Sequence, residues 1–469
     1  MSEIKADVVR WLDNRKDDFR EIAKNIWQHP EVGLKEEYAS DLQKSTLREE
    51  GFRVLESVAN METAFYAEYG EGGPTIGVLG EYDALPGLSQ KVKPQRNPIR
   101  KGGAGHGCGH NLLGTAGMAG VMAIKKGMEA EEIRGKVRYY GCPAEETLVG
   151  KVYMARAGVF DGLDACLTWH PGVVNCAKMG SSLAMNSIQF KFTGQSSHAA
   201  ASPEQGRSAL DGVELMNLGS EYMREHLSDK TRIHYSIPKG GEEPNIVPDE
   251  AITWYYVRAP KREEVEEVTE WLYRVAEGAS LMARVDLEPN FLTACFETNH
   301  NRVLSDIVLG NMQDLEGPNY SEEDIKFAKE IEKTLNRSRE EALKEKGIPE
   351  EVCKKTLHSE VLEEYYDVGG VSPGSTDVGD VSWITPLAEF STATWPMKVT
   401  SHSWQATASS GSGIGMAGMH FAAKTIATSL VDLFNAPEVL EKAKEEFKEK
   451  TKGGKYESPL PKGANIPQI

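Results

Sequence analysis

The sequence predicts an α/β protein with a mostly parallel twisted sheet, into which an α+β unit of four strands and two helices is inserted. Three observations carry this. Strand-like runs AFYAEYG, PTIGVLGEYDALPG, GKVRYYGCPAEE and DACLTWHPG alternate with the small, apolar NLLGTAGMAGVMAIKKGME at helical spacing. The rhythm changes around Gly180 to half-exposed strands and two amphipathic helices, and the mixed α/β pattern then returns. The 469 residues exceed one core at a prior of ~150 residues per domain, so the chain divides into an α/β part over 1–183, an inserted unit over 184–294 and a second α/β part over 295–469.

Taken in order, MSEIKADVVRWLDNRKDDFREIAKNIWQHP reads as one charged amphipathic helix, not a signal peptide. The run PTIGVLGEYDALPG ends in acidic residues and a Pro-Gly turn, and polar groups at a strand's C-terminal end suit an α/β site. The inserted unit reads as strand SLAMNSIQFKFTG, helix RSALDGVELMNLGSEYMREHL, strands TRIHYSI and AITWYYVRAP, helix EEVEEVTEWLYRVAEGASLMA and strand RVDLEPNF. Residues 321–366, rich in Glu and Lys and broken at Ile348-Pro349, read as a solvated helical excursion, with a lid or interface as the other reading. The final KTKGGKYESPLPKGANIP reads as a loosely ordered tail.

Composition excludes several classes. With 40% hydrophobic and 26% charged residues the chain is neither disordered nor fibrous. A formal charge of -18 and no sustained basic stripe exclude nucleic acid as a partner. No run of 18 or more apolar residues is present, so no membrane partner and a cytoplasmic location are expected. The six cysteines, Cys108, Cys142, Cys166, Cys176, Cys295 and Cys353, lack framework spacing and are expected to be free thiols.

The chemistry begins at AGHGCGHN, residues 104–111, where glycines free an irregular loop to bring Cys108 and His110 to one point. Glu145 and Glu146 in CPAEE follow a strand; adjacent side chains on an extended segment point opposite ways, so one could hold metal and its neighbour face a substrate as general base. His170 in LTWHPG and His402 in TSHSW also follow apolar strand-like runs. Together, Cys108, His110, Glu146, His170 and His402 are enough for two metals ~3.5–4 Å apart. Singly, each has a plainer reading. Cys108 can be a small buried apolar side chain or a nucleophile activated by His106 or His110, the glutamates an exposed loop pair, and the histidines satisfied surface residues. In the inserted unit, His198, Asn245 and Arg258 are donors suited to a carboxylate or an oxyanion, or else plain loop and strand-end residues.

Several stretches taken together, GHGCGHN, CPAEE, SHAAASP with GRSALD, VRAP, AEGASLM and GSTDVGDVSW at 374–383, resemble the dinuclear metal amidohydrolases of the aminoacylase and carboxypeptidase superfamily, in its Cys-Gly-His branch. The likeness runs from Trp27-Gln28-His29-Pro30-Glu31 to the His402 loop. It implies two divalent metals, Mn or Zn, on Cys108, His110, Glu146, His170 and His402, with Glu145 as general base. It also implies that the inserted unit dimerises, that His198 acts across the dimer on an oxyanion or substrate, and that Asn245 and Arg258 hold a substrate carboxylate. The implied reaction is hydrolysis of the amide of a small N-acyl or N-aroyl amino acid, p-aminobenzoyl-glutamate leading. The alternatives are an aminoacylase or dipeptidase with another acyl group, a cysteine-dependent amidase, or a non-catalytic partner protein. The assembly is a homodimer or a heteromer with a related chain. Three departures stand out. Asn111 replaces the aspartate after the ligand histidine, so an orienting carboxylate for His110 is expected to be missing. Glu81 and Asp83 stand where the branch has two aspartates, and Ser375-Thr376-Asp377 where it has Glu-Asp-Phe, the latter fitting the aminobenzoyl-glutamate type.

Overall fold

A computed structural model describes residues 1–130, 132–349, 352 and 354–467; Cys353, expected to be a free thiol, lies outside the described residues. Its strands in chain order are β1 Arg53–Glu56, β2 Phe65–Glu71, β3 Thr75–Glu81, β4 Gly135–Cys142, β5 Ala165–Gly172, β6 Cys176–Ala177, β7 Ala184–Thr193, β8 Arg232–Lys239, β9 Glu250–Ala259, β10 Asp286–Cys295 and β11 Leu387–Ala393. One sheet has the order β1-β2-β4-β3-β5-β11-β6. It is parallel across β4, β3, β5 and β11 and antiparallel at both edges. The central strands read as unbroken apolar runs because both faces are covered: every residue of β11 is buried, as are all but the first of β3. The helix His110–Glu129 lies so close over the sheet that a Cβ at Gly114 would sit 2.5 Å from the Glu81 carbonyl oxygen, which fixes the end of β3.

The second sheet, β10-β7-β9-β8, is antiparallel throughout. Its own core, with Phe190, Phe192, Val213, Met216, Tyr255, Val265 and Leu272, is closed by the helices Ala209–Met223 and Arg262–Ala283. β8 is an edge strand with only Ile233 buried. Among the described residues, no helix is long and apolar enough to cross a membrane. Cys108, Cys142, Cys166, Cys176 and Cys295 are free and buried.

Three expectations are corrected. The N-terminal helix is two, Glu3–Asn14 and Lys16–Gln28, broken at Arg15 (φ -110°, ψ 14°). The break lets Val8 and Leu12 of the first and Phe19 and Ile26 of the second reach one core, while Arg15 pairs with Asp18 (3.0 Å) and Glu50 (2.5 Å). The charged excursion is no solvated appendage. Its helices Glu322–Glu332 and Arg339–Lys346, both opened by capping boxes, bury Ile331, Leu343 and the following Ile348 against Val173, Val174, Trp395, Met397 and Val399. The C-terminal tail has no helix or strand but is docked: Tyr456 donates a hydrogen bond to Asp380 (2.7 Å), Tyr153 donates one to the Asn465 carbonyl (2.6 Å), and Leu460 is buried.

Candidate metal centre

The parallel strands β3, β4, β5 and β11 end on the same edge of the sheet, and the polar residues follow those ends. Glu81 closes β3, Glu145 and Glu146 follow β4, His170 lies near the end of β5, and His402 follows β11. Cys108 and His110 come in from the glycine loop. Gly109 has φ 78°, and a Cβ there would lie 2.9 Å from Pro171 Cγ, so only glycine seats that loop against β5. The carboxylate pair departs from the extended geometry expected for it. Glu145–Thr147 is a 3₁₀ turn with left-handed Ala144 (φ 53°) and Leu148 (φ 57°) at its ends, and both carboxylates reach the same centre. His402 is itself left-handed (φ 58°), held by its N–H on the Gly107 carbonyl (2.9 Å).

All five expected ligands converge. Cys108 Sγ is 3.4 Å from His170 Nε2, and His402 Nε2 is 3.1 Å from Glu146 Oε2. His110 Nε2 is 3.8 Å from Glu145 Oε2 and 4.0 Å from Glu146 Oε1. The sets Cys108-His110-His170 and Cys108-Glu146-His402 each keep their ligand atoms within 4.8 Å, as does Glu81-His110-Glu145. His110 Nε2 and Glu146 Oε1 are buried and have no hydrogen-bond partner among the described residues. Buried lone pairs left unmatched at a point where a thiol, three imidazoles and carboxylates meet fit divalent cations.

The orienting carboxylate expected to be missing is present, because Asp83 Oδ1 lies 2.7 Å from His110 Nδ1. Asn111 instead donates to the carbonyls of Ala23 (3.2 Å) and Ser410 (3.4 Å) and ties the helix start in place. Behind the centre, buried Lys151 binds Asp377 Oδ1 (2.6 Å) and Glu81 Oε1 (2.7 Å), and Thr376 donates to Glu145 Oε1 (2.7 Å). GSTDVGDVSW thus orders the site from behind.

Burial raises the Glu145 carboxyl well above its usual range, and the charges of Glu81 and Asp377 push the same way. For His110, burial opposes the charge, but Asp83, Cys108 and Glu81 outweigh it and hold the ring's pKa high. Burial, then Lys178 and His110, push His170 down to about 4. Burial raises the Cys108 thiol, as does Glu146, the reverse of what a free thiolate nucleophile needs. His106 is pushed down to about 3 by burial, with Nε2 3.2 Å from the Ile26 carbonyl oxygen, so it packs the loop and does not serve as a base for Cys108.

The centre opens into a cavity of about 880 Å³ lined by Glu145, Glu146, His170, His402, Tyr256 and Arg258, and on the excursion side by Lys344, Gly347 and Ile348. On its wall Lys178 is committed to Glu389 (2.5 Å). Arg258 donates to Ser375 Oγ at 3.3 Å and lines the cavity, which puts a guanidinium on its wall for an anion. His198 and Asn245 are exposed and do not line this cavity within one chain. They share one loop pair, the Ala199 N–H bonding the Asn245 carbonyl at 2.9 Å.

Sequence reasoning picked out the five candidate ligands that the fold brings together but passed over Lys151, whose partner Asp377 lies 226 residues away. Asp83 carried a signal, standing with Glu81 at the end of a strand.

Residues 183–280 match a family model described as the peptidase dimerisation domain. Over 97% of this chain and 98% of the relative, the sequence is 37% identical to the B-type subunit of p-aminobenzoyl-glutamate hydrolase from Escherichia coli (strain K12). Among solved structures, the aminobenzoyl-glutamate utilization protein from Klebsiella pneumoniae shares the fold with a TM-score of 0.60 at 16% identity, covering 91% of this chain and 98% of that one. A dinuclear metal binding peptidase of the M20 family from Bacillus subtilis does so with a TM-score of 0.53 at 18% identity, covering 88% and 98%. A polar centre at the sheet's C-terminal edge, a second sheet matched as a dimerisation domain and end-to-end similarity agree: the chain belongs to the p-aminobenzoyl-glutamate hydrolase family.

Proposed function

We propose that this protein is a metal-dependent amidohydrolase that cleaves p-aminobenzoyl-glutamate to p-aminobenzoate and glutamate. The observation that carries the reading is that Cys108, His110, Glu146, His170 and His402 gather into two adjoining sets that share Cys108, Cys108-His110-His170 and Cys108-Glu146-His402, beside buried polar atoms without partners. These five residues would hold two divalent ions, with zinc matching the thiolate and imidazole donors and manganese the second ion to test. Bound there, the metals supply Lewis acidity and bring the pKa of water in the site toward about 7.

The remaining work falls to the chain. Glu145 takes the proton of the attacking water on Oε2, its other oxygen being held by Thr376, and delivers it to the departing amine nitrogen. Its burial beside Glu81 and Asp377 favours holding that proton between the two transfers. Arg258, on the cavity wall, pairs with the substrate carboxylate. His198 and Asn245 act from a partner's inserted unit, His198 on the oxyanion and Asn245 on the carboxylate, since their shared loop is exposed in one chain.

The dimer is part of the proposal. Eight of the fourteen exposed large hydrophobic side chains among the described residues fall between Leu218 and Met282, and edge strand β8 is open beside them. A second copy of this chain is the proposed occupant; a related but different chain is the other outcome of a size measurement on purified protein. A cytoplasmic location is also proposed, supported by five buried thiols left unpaired.

The test is hydrolysis of p-aminobenzoyl-glutamate before and after chelation, with zinc or manganese restored, beside Glu145→Gln. Metal-dependent release of glutamate is expected. The variant should keep its metal and lose at least about 10²-fold in kcat, the scale of one general base. Full turnover in the metal-loaded variant would sink the assignment of Glu145, and turnover that survives chelation would sink the metal mechanism.

A further inference from the structure

Glu81 stands outside the five residues to which the metals are assigned, yet its geometry is that of a ligand. It is 1% exposed at the end of β3, pinned by the close approach of Gly114 to its carbonyl oxygen. Its Oε1 is taken by Lys151 Nζ at 2.7 Å, and Lys151 is fixed in turn by Asp377 at 2.6 Å. Its Oε2 has no hydrogen-bond partner and points at His110 Nε2, 3.2 Å away, which has none either. Across the same ring, Nδ1 lies 2.7 Å from Asp83 Oδ1, which orients the ring with Nε2 toward Glu81. Glu81 Oε2 and His110 Nε2 therefore lie side by side, both buried and neither with a hydrogen-bond partner among the described residues. That arrangement is costly alone and favourable around a cation. Glu145 Oε2, the proposed base, lies 3.8 Å from the same nitrogen, and the nearest donor atoms of Glu81, His110 and Glu145 lie within 4.8 Å of one another.

The geometry assigns Glu81 as a further, monodentate metal ligand through Oε2, clamped by Lys151 and Asp377. The inference rests on the dinuclear reading of the site and adds a sixth donor to it. The clamp explains why a lysine is fully buried beside the centre. It holds the carboxylate by Oε1 and leaves Oε2 without a competing partner.

The experiment is metal titration of chelator-stripped protein against a competing indicator, with zinc and then manganese, for the parent, Glu81→Gln and Glu81→Asp. The parent is expected to bind two ions. Both variants should weaken one of them by at least about 10-fold, the lower end of what even a supporting residue costs. Melting of the metal-free proteins separates a structural role: a counter-ion serving only Lys151 would lower the metal-free melting temperature of Glu81→Gln and leave both affinities unchanged. That result overturns the assignment while leaving the dinuclear reading standing. A parent chain that binds no metal overturns both. If Glu81→Gln does not fold, Glu81→Asp, which keeps the charge and withdraws the oxygen, decides alone, with parental affinity at both sites the contrary result.

Discussion

His110 shows how a single residue's environment substitutes for a missing neighbour. The sequence has Asn111 where an orienting acid was expected, yet Asp83, 27 positions earlier, bonds the same ring. The end of β3 and the start of the helix at His110 meet only in the folded sheet. Asp380 gives a residue-scale prediction away from the centre. Burial pushes its carboxyl up to about 7 from 3.8, against the Tyr456 hydroxyl and Phe296 amide that hold it down. A raised folded value means that the native state binds the proton more tightly than the unfolded chain. The stability it contributes is full below the ordinary carboxyl range and is lost as pH rises through about 7. Melting temperatures across that window should fall with pH in the parent and fall less in Asp380→Asn; equal slopes would show that Asp380 does not titrate there.

Elements differed in how openly the sequence announced them. The strands of both sheets and the helix His110–Glu129 follow from apolar period and length, because burial on one or both faces selects those patterns directly. The excursion did not, since its alternating charges satisfy a solvated helix just as well. What distinguishes it is sparse: Ile331, Leu343 and Ile348 fill a cluster shared with Trp395 and Val399, and the same segment carries Lys344 to the cavity wall. Leu343→Ala should cost about 2–5 kcal/mol if that packing is real. Chemical denaturation reads this, and a loss below about 0.5 kcal/mol, the range of ordinary surface changes, would return the helix to solvent. The tail after Lys450 misleads for the same reason, its coil-forming residues being held by Tyr153 and Asp380, far away in sequence.

At the scale of the molecule, the two sheets divide the work: one carries the candidate metal centre, and the other has an open edge strand and exposed apolar helix side chains, the surface proposed to meet a partner. Leu281, 79% exposed, should be such a contact. Leu281→Glu is expected to shift sedimentation from dimer toward monomer and to lower turnover together, since His198 and Asn245 are then without their partner's cavity. An unshifted dimer would place the interface elsewhere. By itself the sequence announced the fold class, the inserted unit and five residues that the fold brings together, because hydrophobic period, glycine punctuation and donor chemistry are local properties that survive in one dimension. Only the tertiary structure decided that Asp83 orients His110, that Lys151, fixed by Asp377, grips Glu81, and that His198 lies off its own chain's cavity. Those pairings join residues tens to hundreds of positions apart, and their energies depend on burial, which a linear pattern does not hold.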